Sequence, residues 1–210
     1  LHLDFKYPWV FNPDADEVPE PGLYDEMLSA VNDARRAEVA YRVRFKTMFM
    51  DRWIKHSSLY PTWVVRLFRP DRIRLEREIN LRYRIDGTEG RLQQHLRHYT
   101  FHKGIDAWVA KHSRYAQVEA RQNITDLSHT SLRDLAGVFD FTDPVLRRRA
   151  LKLLSMRLPC RPMLRFLYMY LVRRGFLDGR PGLTYCRLMA IYEYLIVLNM
   201  RALKTTCPRS

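Results

Sequence analysis

"WVFNPDADEVPEPG", Trp9 to Gly22, decides how the rest of the chain is read. An apolar run ends in three acids, Asp14, Asp16 and Glu17, and Pro19 and Pro21 follow at once. The run that leads in, "KYPWVFN", reads as a short buried strand, and the prolines set up a helix from about Gly22 to Arg36. There Leu23, Met27, Leu28 and Val31 recur at helical spacing, with acids early and Arg35-Arg36 late, as the helix dipole prefers. Asp14 and Asp16 stand at i and i+2 where strand passes into loop, so both carboxylates leave one face of an extended backbone and can aim at one point. Two close carboxylates raise each other's pKa unless a cation relieves them. Mg²⁺ or Mn²⁺ suits such oxygens, and Mg²⁺ commonly takes one or two carboxylates plus substrate phosphates. A solvated acidic loop is the competing reading, because an isolated DxD triplet is common by chance. The pattern argues against an EF-hand: Pro19 stands where that loop needs glycine, and the twelfth-position glutamate is missing.

Further along, "EVAYRVRFKTMFM" (38–50) alternates apolar and basic residues as a half-buried strand does. "TWVVRLFRP" (62–70) is another strand, stopped by Pro70, and "INLRYRIDGTEGRL" predicts a strand, a DG turn and a shorter return. From Ile105 to about Ala120 the pattern is helical, with Ile105, Trp108, Val109, His112 and Tyr115 near one face. Composition changes after Asp126, where a linker with short helices leads to a basic helix opened by Asp143-Pro144. The expected domains are therefore 1–125 and 126–210.

The 210 residues suffice for one fair-sized domain or a domain with an appendage. An apolar content of 47% argues against wholesale disorder. Cys160, Cys186 and Cys207 form no CxxC and no metal-spaced His pairing, which argues against a disulfide scaffold or zinc module. "LHLDFKYPWV" lacks the basic leader and long apolar core of a signal peptide. The formal charge of +13 is uneven. Residues 1–144 hold 22 Lys and Arg against 21 Asp and Glu, whereas residues 145–210 hold 14 against 2.

Taken together, "DADE", "RLFR", "KGIDAW" and "KHSRYAQVEA", with "RPMLRFLYMYLVRRGFLDGRPGLTYCRLMAIYEYL" (161–195), resemble the second half of a GT-A glycosyltransferase domain of glycosyltransferase family 2. The similarity is to bacterial enzymes that build lipopolysaccharide core and exopolysaccharide, and it covers most of the chain. It implies an α/β fold: the C-terminal half of a Rossmann-like GT-A domain, then a helical membrane-associating region. It also implies that the half carrying the base-and-ribose pocket precedes these residues, and that the chain as given binds a nucleotide-sugar poorly. By the resemblance, Asp14 and Asp16 hold Mg²⁺ or Mn²⁺ on the diphosphate of a nucleotide-sugar, with Asp16 the more direct ligand. The implied reaction is inverting transfer to a lipid-linked or saccharide acceptor, with a general base within reach of the acceptor hydroxyl. Relatives carry a His-Glu or Asn-Glu pair where this chain has Asn80-Leu81, and leucine takes no proton. Glu78, with Glu76 beside it, is the nearest substitute; surface pairing with Arg74, Arg77 or Arg82 is the alternative. Arg66 and Arg69 are candidates for phosphate oxygens, or else strand-edge cations in solvent. His98, Lys103, His112, Arg114 and Tyr115 are implied on the acceptor or diphosphate side, while Trp108 reads as core.

In the last third, "MLRFLYMYLVRR" and "LMAIYEYLIVLNM" fall short of the ~20 residues that span a bilayer. Aromatics and Met among Leu, rimmed by Arg, suit helices lying in an anionic interface. The expected place is the cytoplasmic face of a bacterial inner membrane, peripheral or monotopic. A basic nucleic-acid-binding protein is the lesser alternative, because the arginines alternate with bulky Leu, Met and Tyr and no recognition motif appears; no nucleic-acid partner is expected. A non-catalytic, transferase-like membrane protein is the other alternative, supported by Leu81.

Overall fold

The computed structural model describes residues 5–77, 82–128, 150 and 160–206. The chain is mixed α/β and divides into two compact units, Leu1–His102 and Lys103–Ser210. The units part ahead of the composition change at Asp126, which falls inside helix α2 (Gly104–Ser128).

In the first unit, strand β1 (Val10–Phe11) leads into the acidic turn, and β2 (Glu17–Pro19) leaves it. Helix α1 (Leu23–Asn32) follows, then β3 (Glu38–Phe49), β4 (Arg52–Trp53) and β5 (Trp63–Phe68). A 3-10 turn at Pro70–Arg72 separates β5 from β6 (Ile73–Arg77), and β7 (Arg82–Ile85) and β8 (Thr88–Tyr99) complete the unit. The main sheet runs β1-β5-β3-β8-β2, with β4 folded back on β3. Its β3–β8 pair is parallel and its other pairs are antiparallel.

The alternation of β3 is what builds the core. Tyr41 and Val43 point to one side with Leu67, Leu92 and Leu96, and α1 covers them with Leu23, Met27 and Ala30. Each fully buried Leu or Val contributes about 1.5–3 kcal/mol. Gly90 on β8 lets this face close, because a Cβ there would stand 2.5 Å from the Tyr41 ring. Helix α1 ends at Asn32, short of the expected Arg36. Asp33 turns extended, and its carboxylate accepts from the Arg35 backbone N–H at 3.1 Å and from Arg35 Nε at 3.0 Å. This local bond competes with the helix, so Arg35-Arg36 lie beyond it instead of on its last turn.

The hairpin expected across Asp86-Gly87 does not form. β7 pairs with β6 (Arg74↔Arg84, Ile73↔Ile85), and the return is the 12-residue β8, parallel to β3. Leu92 and Leu96 are buried in the core that β3 and α1 share, so burial outweighs the local turn signal. Gly87, at φ 141, passes the chain between the two sheets. At the β3–β4 tip, Met50 and Asp51 form a two-residue loop with φ of 50 and 57. Neither is glycine, and a left-handed backbone costs about 1–2 kcal/mol per such residue.

In the second unit, α2 packs on α4 (Gly179–Thr206), and α3 (Arg161–Leu167) continues as a π-helical turn, Tyr168–Val172. Trp108, Ala116 and Ala120 of α2 are buried, as are Cys186, Tyr192, Ile196 and Met200 of α4. Glu193, the acid within the apolar stretch, is paired with Arg161, and both side chains are nearly buried. Among the described residues, no helix is long and apolar enough to cross a membrane. The expected linker and basic helix over 126–159 lie mostly outside the described residues.

Candidate functional site

The acidic turn is clamped by an arginine from the neighbouring strand. β1 pairs with β5 through Val10↔Phe68 and Phe11↔Leu67, and the Asn12 N–H then donates to the Arg66 carbonyl at 2.8 Å. The β3–β5 register slips at the same place: Tyr41 faces Leu67 and Arg42 faces Val65, leaving Arg66 as the extra residue of a β-bulge. Bulges re-aim side chains. Arg66 Nε donates to Glu17 Oε2 at 2.8 Å, while Nη2 reaches both Glu17 Oε1 and Asp14 Oδ2. The Glu17 side chain has no exposed surface, Arg66 keeps 7%, and Asp14 is half open to solvent at 51%. Glu17 Oε2 also accepts the Asp14 backbone N–H at 3.1 Å. Burial pushes the Glu17 carboxyl above its usual range, against the pull of the Arg66 guanidinium. Arg66 itself is held in its charged form by the two carboxylates despite its own burial.

Asp16 turns to a different partner. His98 Nε2 lies 3.3 Å from Asp16 Oδ2, and the Tyr99 N–H donates to the Asp16 carbonyl at 2.8 Å. Both contacts follow from the β2–β8 register, which sets Glu17 opposite His98. The Phe45 ring joins the two halves: its centroid lies 4.8 Å from the His98 ring and 5.9 Å from the Arg66 guanidinium carbon. Glu17 and Asp14 thus share the Arg66 guanidinium while Asp16 sits against His98, so formally three carboxylates stand against one guanidinium.

Among the described residues, no three His, Cys, Asp or Glu side chains converge as a complete ligand set. A divalent ion that keeps several waters needs only one or two carboxylates, with phosphate oxygens supplying more. Such an ion would draw on the half-exposed Asp14 and on Asp16, but the two carboxylates expected to aim at one point turn here to different partners, Arg66 and His98.

The other sequence-derived candidates are scattered. Arg66 is committed to Glu17 and Asp14, and Arg69 lies 3.5 Å from Asp71. Glu76 is on β6, and Glu78 lies outside the described residues, as does Leu81. Lys103, His112, Arg114 and Tyr115 belong to the second unit. There His112 stacks on Trp108 at 3.7 Å, lies perpendicular to the Tyr192 ring at 4.9 Å, and places Nδ1 2.9 Å from the Trp108 carbonyl. Burial lowers the His112 pKa, Lys111 adds to this, and the carbonyl contact and Glu119 oppose it. Lys103, Arg114 and Tyr115 are exposed. Sequence reasoning missed the roles of Glu17 and Phe45. Glu17 three residues after Asp14 was a visible signal, but its partner lies 49 positions away.

A second polar group forms around Glu20, just past β2, with partners on β3 and β8. Glu20 pairs with Lys46 at 2.6 Å and Arg97 at 3.2 Å; burial opposes its ionised form, but these two bonds outweigh it and hold the carboxyl below its usual range. His95 lies beside this group with Nε2 3.1 Å from the Tyr60 hydroxyl, and burial together with Arg44 and Lys46 lowers its pKa.

Compared with protein-family models, curated proteins and solved structures, the chain gives no match in any of the three.

Proposed function

We propose that this chain is the acceptor-side part of an inverting, metal-dependent glycosyltransferase of GT-A type. It would move a sugar from a nucleotide-sugar to a lipid-linked or saccharide acceptor during cell-envelope glycan synthesis. The observation that carries the reading is the acidic turn after β1, where Asp14 and Asp16 stand two residues apart and three carboxylates formally stand against one guanidinium. The parallel β3–β8 pair within a mixed sheet is compatible with a GT-A half-domain.

Asp14 and Asp16 would hold Mg²⁺ or Mn²⁺, which offsets the charge that builds on a departing nucleoside diphosphate. Arg66 fixes the Asp14 carboxylate, and Glu17 keeps Arg66 in place. His98 orients Asp16 from the adjacent strand. Glu78, with Glu76 as its neighbour, remains the proposed base, and Arg69, Lys103, His112, Arg114 and Tyr115 the proposed contacts to phosphate or acceptor.

The second unit supports docking at an anionic membrane surface on the cytoplasmic side. Met163, Tyr168, Leu171, Val172, Phe176 and Leu177 are all exposed along α3 and the turns after it, and Arg173, Arg174 and Arg180 lie in the same stretch. Apolar exposure flanked by arginines suits a helix lying in the headgroup layer. A non-catalytic membrane protein derived from a transferase is the second reading, favoured by Arg66 as the partner of Asp14 and by Leu81 in the expected acidic position.

Calorimetric titration of Mn²⁺ with inorganic pyrophosphate, which needs no base-and-ribose pocket, tests the first reading. The parent should take up the metal–diphosphate pair, and Asp16→Ala should weaken it at least tenfold. Equal uptake by both proteins rejects the assignment. Flotation with anionic and neutral vesicles tests docking, which fails if anionic lipid gives no advantage.

A further inference from the structure

The face of the main sheet turned away from α1 is basic and aromatic. Tyr41, Val43 and Phe45 of β3 pack into the core that α1 covers, so Arg42, Arg44 and Lys46 alternate onto the other side. Their register neighbours on that side are Trp63 of β5 and Arg91, His95 and Arg97 of β8. Two tryptophans seat the cations. The guanidinium carbons of Arg44 and Arg91 lie 5.1 and 5.2 Å from the Trp63 ring centroid. Lys46 Nζ and Lys55 Nζ lie 5.0 and 5.6 Å from that of Trp53, and Lys55 also reaches Tyr60 at 5.8 Å. Tyr60 stacks on His95 at 6.1 Å and meets Trp53 edge-on at 5.2 Å, which joins the group. The quadrupole of a ring holds a cation in place but leaves its charge, whereas a carboxylate would cancel it.

Carboxylates meet only part of this charge. Glu89 pairs with Arg42, and Glu20 serves both Lys46 and Arg97. Among the described residues, Arg44, Lys55 and Arg91 lie over rings and pair with no carboxylate. Six cations thus stand against two carboxylates, an excess of four. Residues 1–144 nearly balance in charge as a whole because acids gather elsewhere, in the acidic turn and on α1. Arg42, Arg44 and Lys46 recur at every second residue, about 6–7 Å apart along the strand. That spacing suits an extended polymer with one negative charge per repeat. None of the exposed large hydrophobic side chains among the described residues lies on β3, β5 or β8, so the face offers nothing to hydrocarbon, unlike α3. Its rings and guanidinium planes offer stacking, which bases use and an acidic polysaccharide does not. We propose that this face binds single-stranded nucleic acid, with phosphates along the β3 cations and bases toward Trp53, Tyr60 and Trp63. The inference does not rest on the transferase reading. The acidic turn meets Phe45, which points to the α1 side of the sheet, so the two sites are separate.

Fluorescence anisotropy of a labelled oligo-dT of about twelve nucleotides, titrated with the full chain, makes the test. With four cations in excess, the affinity should fall about fiftyfold between about 50 and 200 mM salt, a log–log slope near −3. Lys55 and Arg91 are both exposed, so Lys55→Gln with Arg91→Gln should leave the urea midpoint unchanged. The same pair of changes should halve the slope and weaken binding more than tenfold at about 50 mM salt. Arg201→Gln with Lys204→Gln, exposed on α4, should alter neither. Absent binding overturns the proposal, as does binding lost in the α4 variant and kept in the Lys55 and Arg91 variant. Equal competition, charge for charge, by dextran sulfate or by duplex DNA also overturns it, leaving a general polyanion surface. Flotation on anionic vesicles that the Lys55 and Arg91 changes abolish, without oligo-dT binding, would make the face a membrane contact instead. Asp16→Ala should bind oligo-dT as the parent does, and the Lys55 and Arg91 variant should keep Mn²⁺–pyrophosphate uptake, so the two readings fail separately.

Discussion

Replacing Arg66 by methionine should cost far more than removing a surface charge. The guanidinium is almost fully covered and makes three contacts to the Glu17 and Asp14 carboxylates. With methionine in its place, Glu17 keeps the Asp14 backbone N–H at 3.1 Å but loses its cation, and its side chain has no exposed surface. Breaking a buried pair from one side costs about 3–5 kcal/mol, against about 0–1 kcal/mol for an exposed pair. With urea slopes of about 1–3 kcal/mol/M, a loss near 4 kcal/mol lowers the unfolding midpoint by roughly 1–4 M. The pH dependence carries the sign. In Arg66→Met the folded-state pKa of Glu17 lies further above its unfolded value, so the penalty is present above the folded pKa and fades as the carboxyl takes up a proton. Parent and variant should converge as pH falls toward the ordinary glutamate value of about 4.3. The double variant Glu17→Gln with Arg66→Met should recover most of the loss, because no buried charge is then left alone. Urea melts of the parent and the two variants at pH 7 and pH 5 make the measurement. A loss under about 1 kcal/mol for Arg66→Met at pH 7 would refute the buried clamp.

Two further outcomes can be read independently of any ligand. Burial lowers the His112 pKa in the folded chain, so the neutral ring stabilises the second unit above the unfolded value of about 6.5, and that contribution disappears as pH falls through the folded pKa. Thermal melts between pH 7.5 and 5 should show a decline that His112→Phe flattens; identical profiles would count against it. Burial pushes the Cys186 thiol up to about 11, whereas Cys160 is exposed. Mass-mapped alkylation at pH 8 should label Cys160 in the folded chain and Cys186 only after unfolding, and early labelling of Cys186 would contradict the packing of α4.

Much of the local structure was legible. The alternation over 38–50 became β3, Pro70 ended β5, and the period-3.6 pattern from Ile105 became α2. Trp108 proved buried, while Ile105, Val109 and Tyr115 on the same predicted face stayed exposed, because the buried stripe instead follows Ala116 and Ala120. The acidic turn was placed at the end of β1 as expected, yet its neighbours were not foreseen. Arg66 looked like a hand for phosphate, and one extra residue in β5 turned it onto Glu17.

The sequence by itself determined the places of β1, β3, β5 and α2 and the start of α1, that Pro70 follows the end of β5, and that three carboxylates gather after β1. Those are consequences of side-chain period and backbone chemistry within a few residues. Only the tertiary structure decided that Glu17 and Asp14 are met by an arginine 49 and 52 positions on, that Asp16 faces His98, and that β8 runs beside β3 instead of folding back on β7. Such pairings follow from which apolar faces can be buried together, and a bulge of one residue is enough to redirect a charge, which no local pattern records.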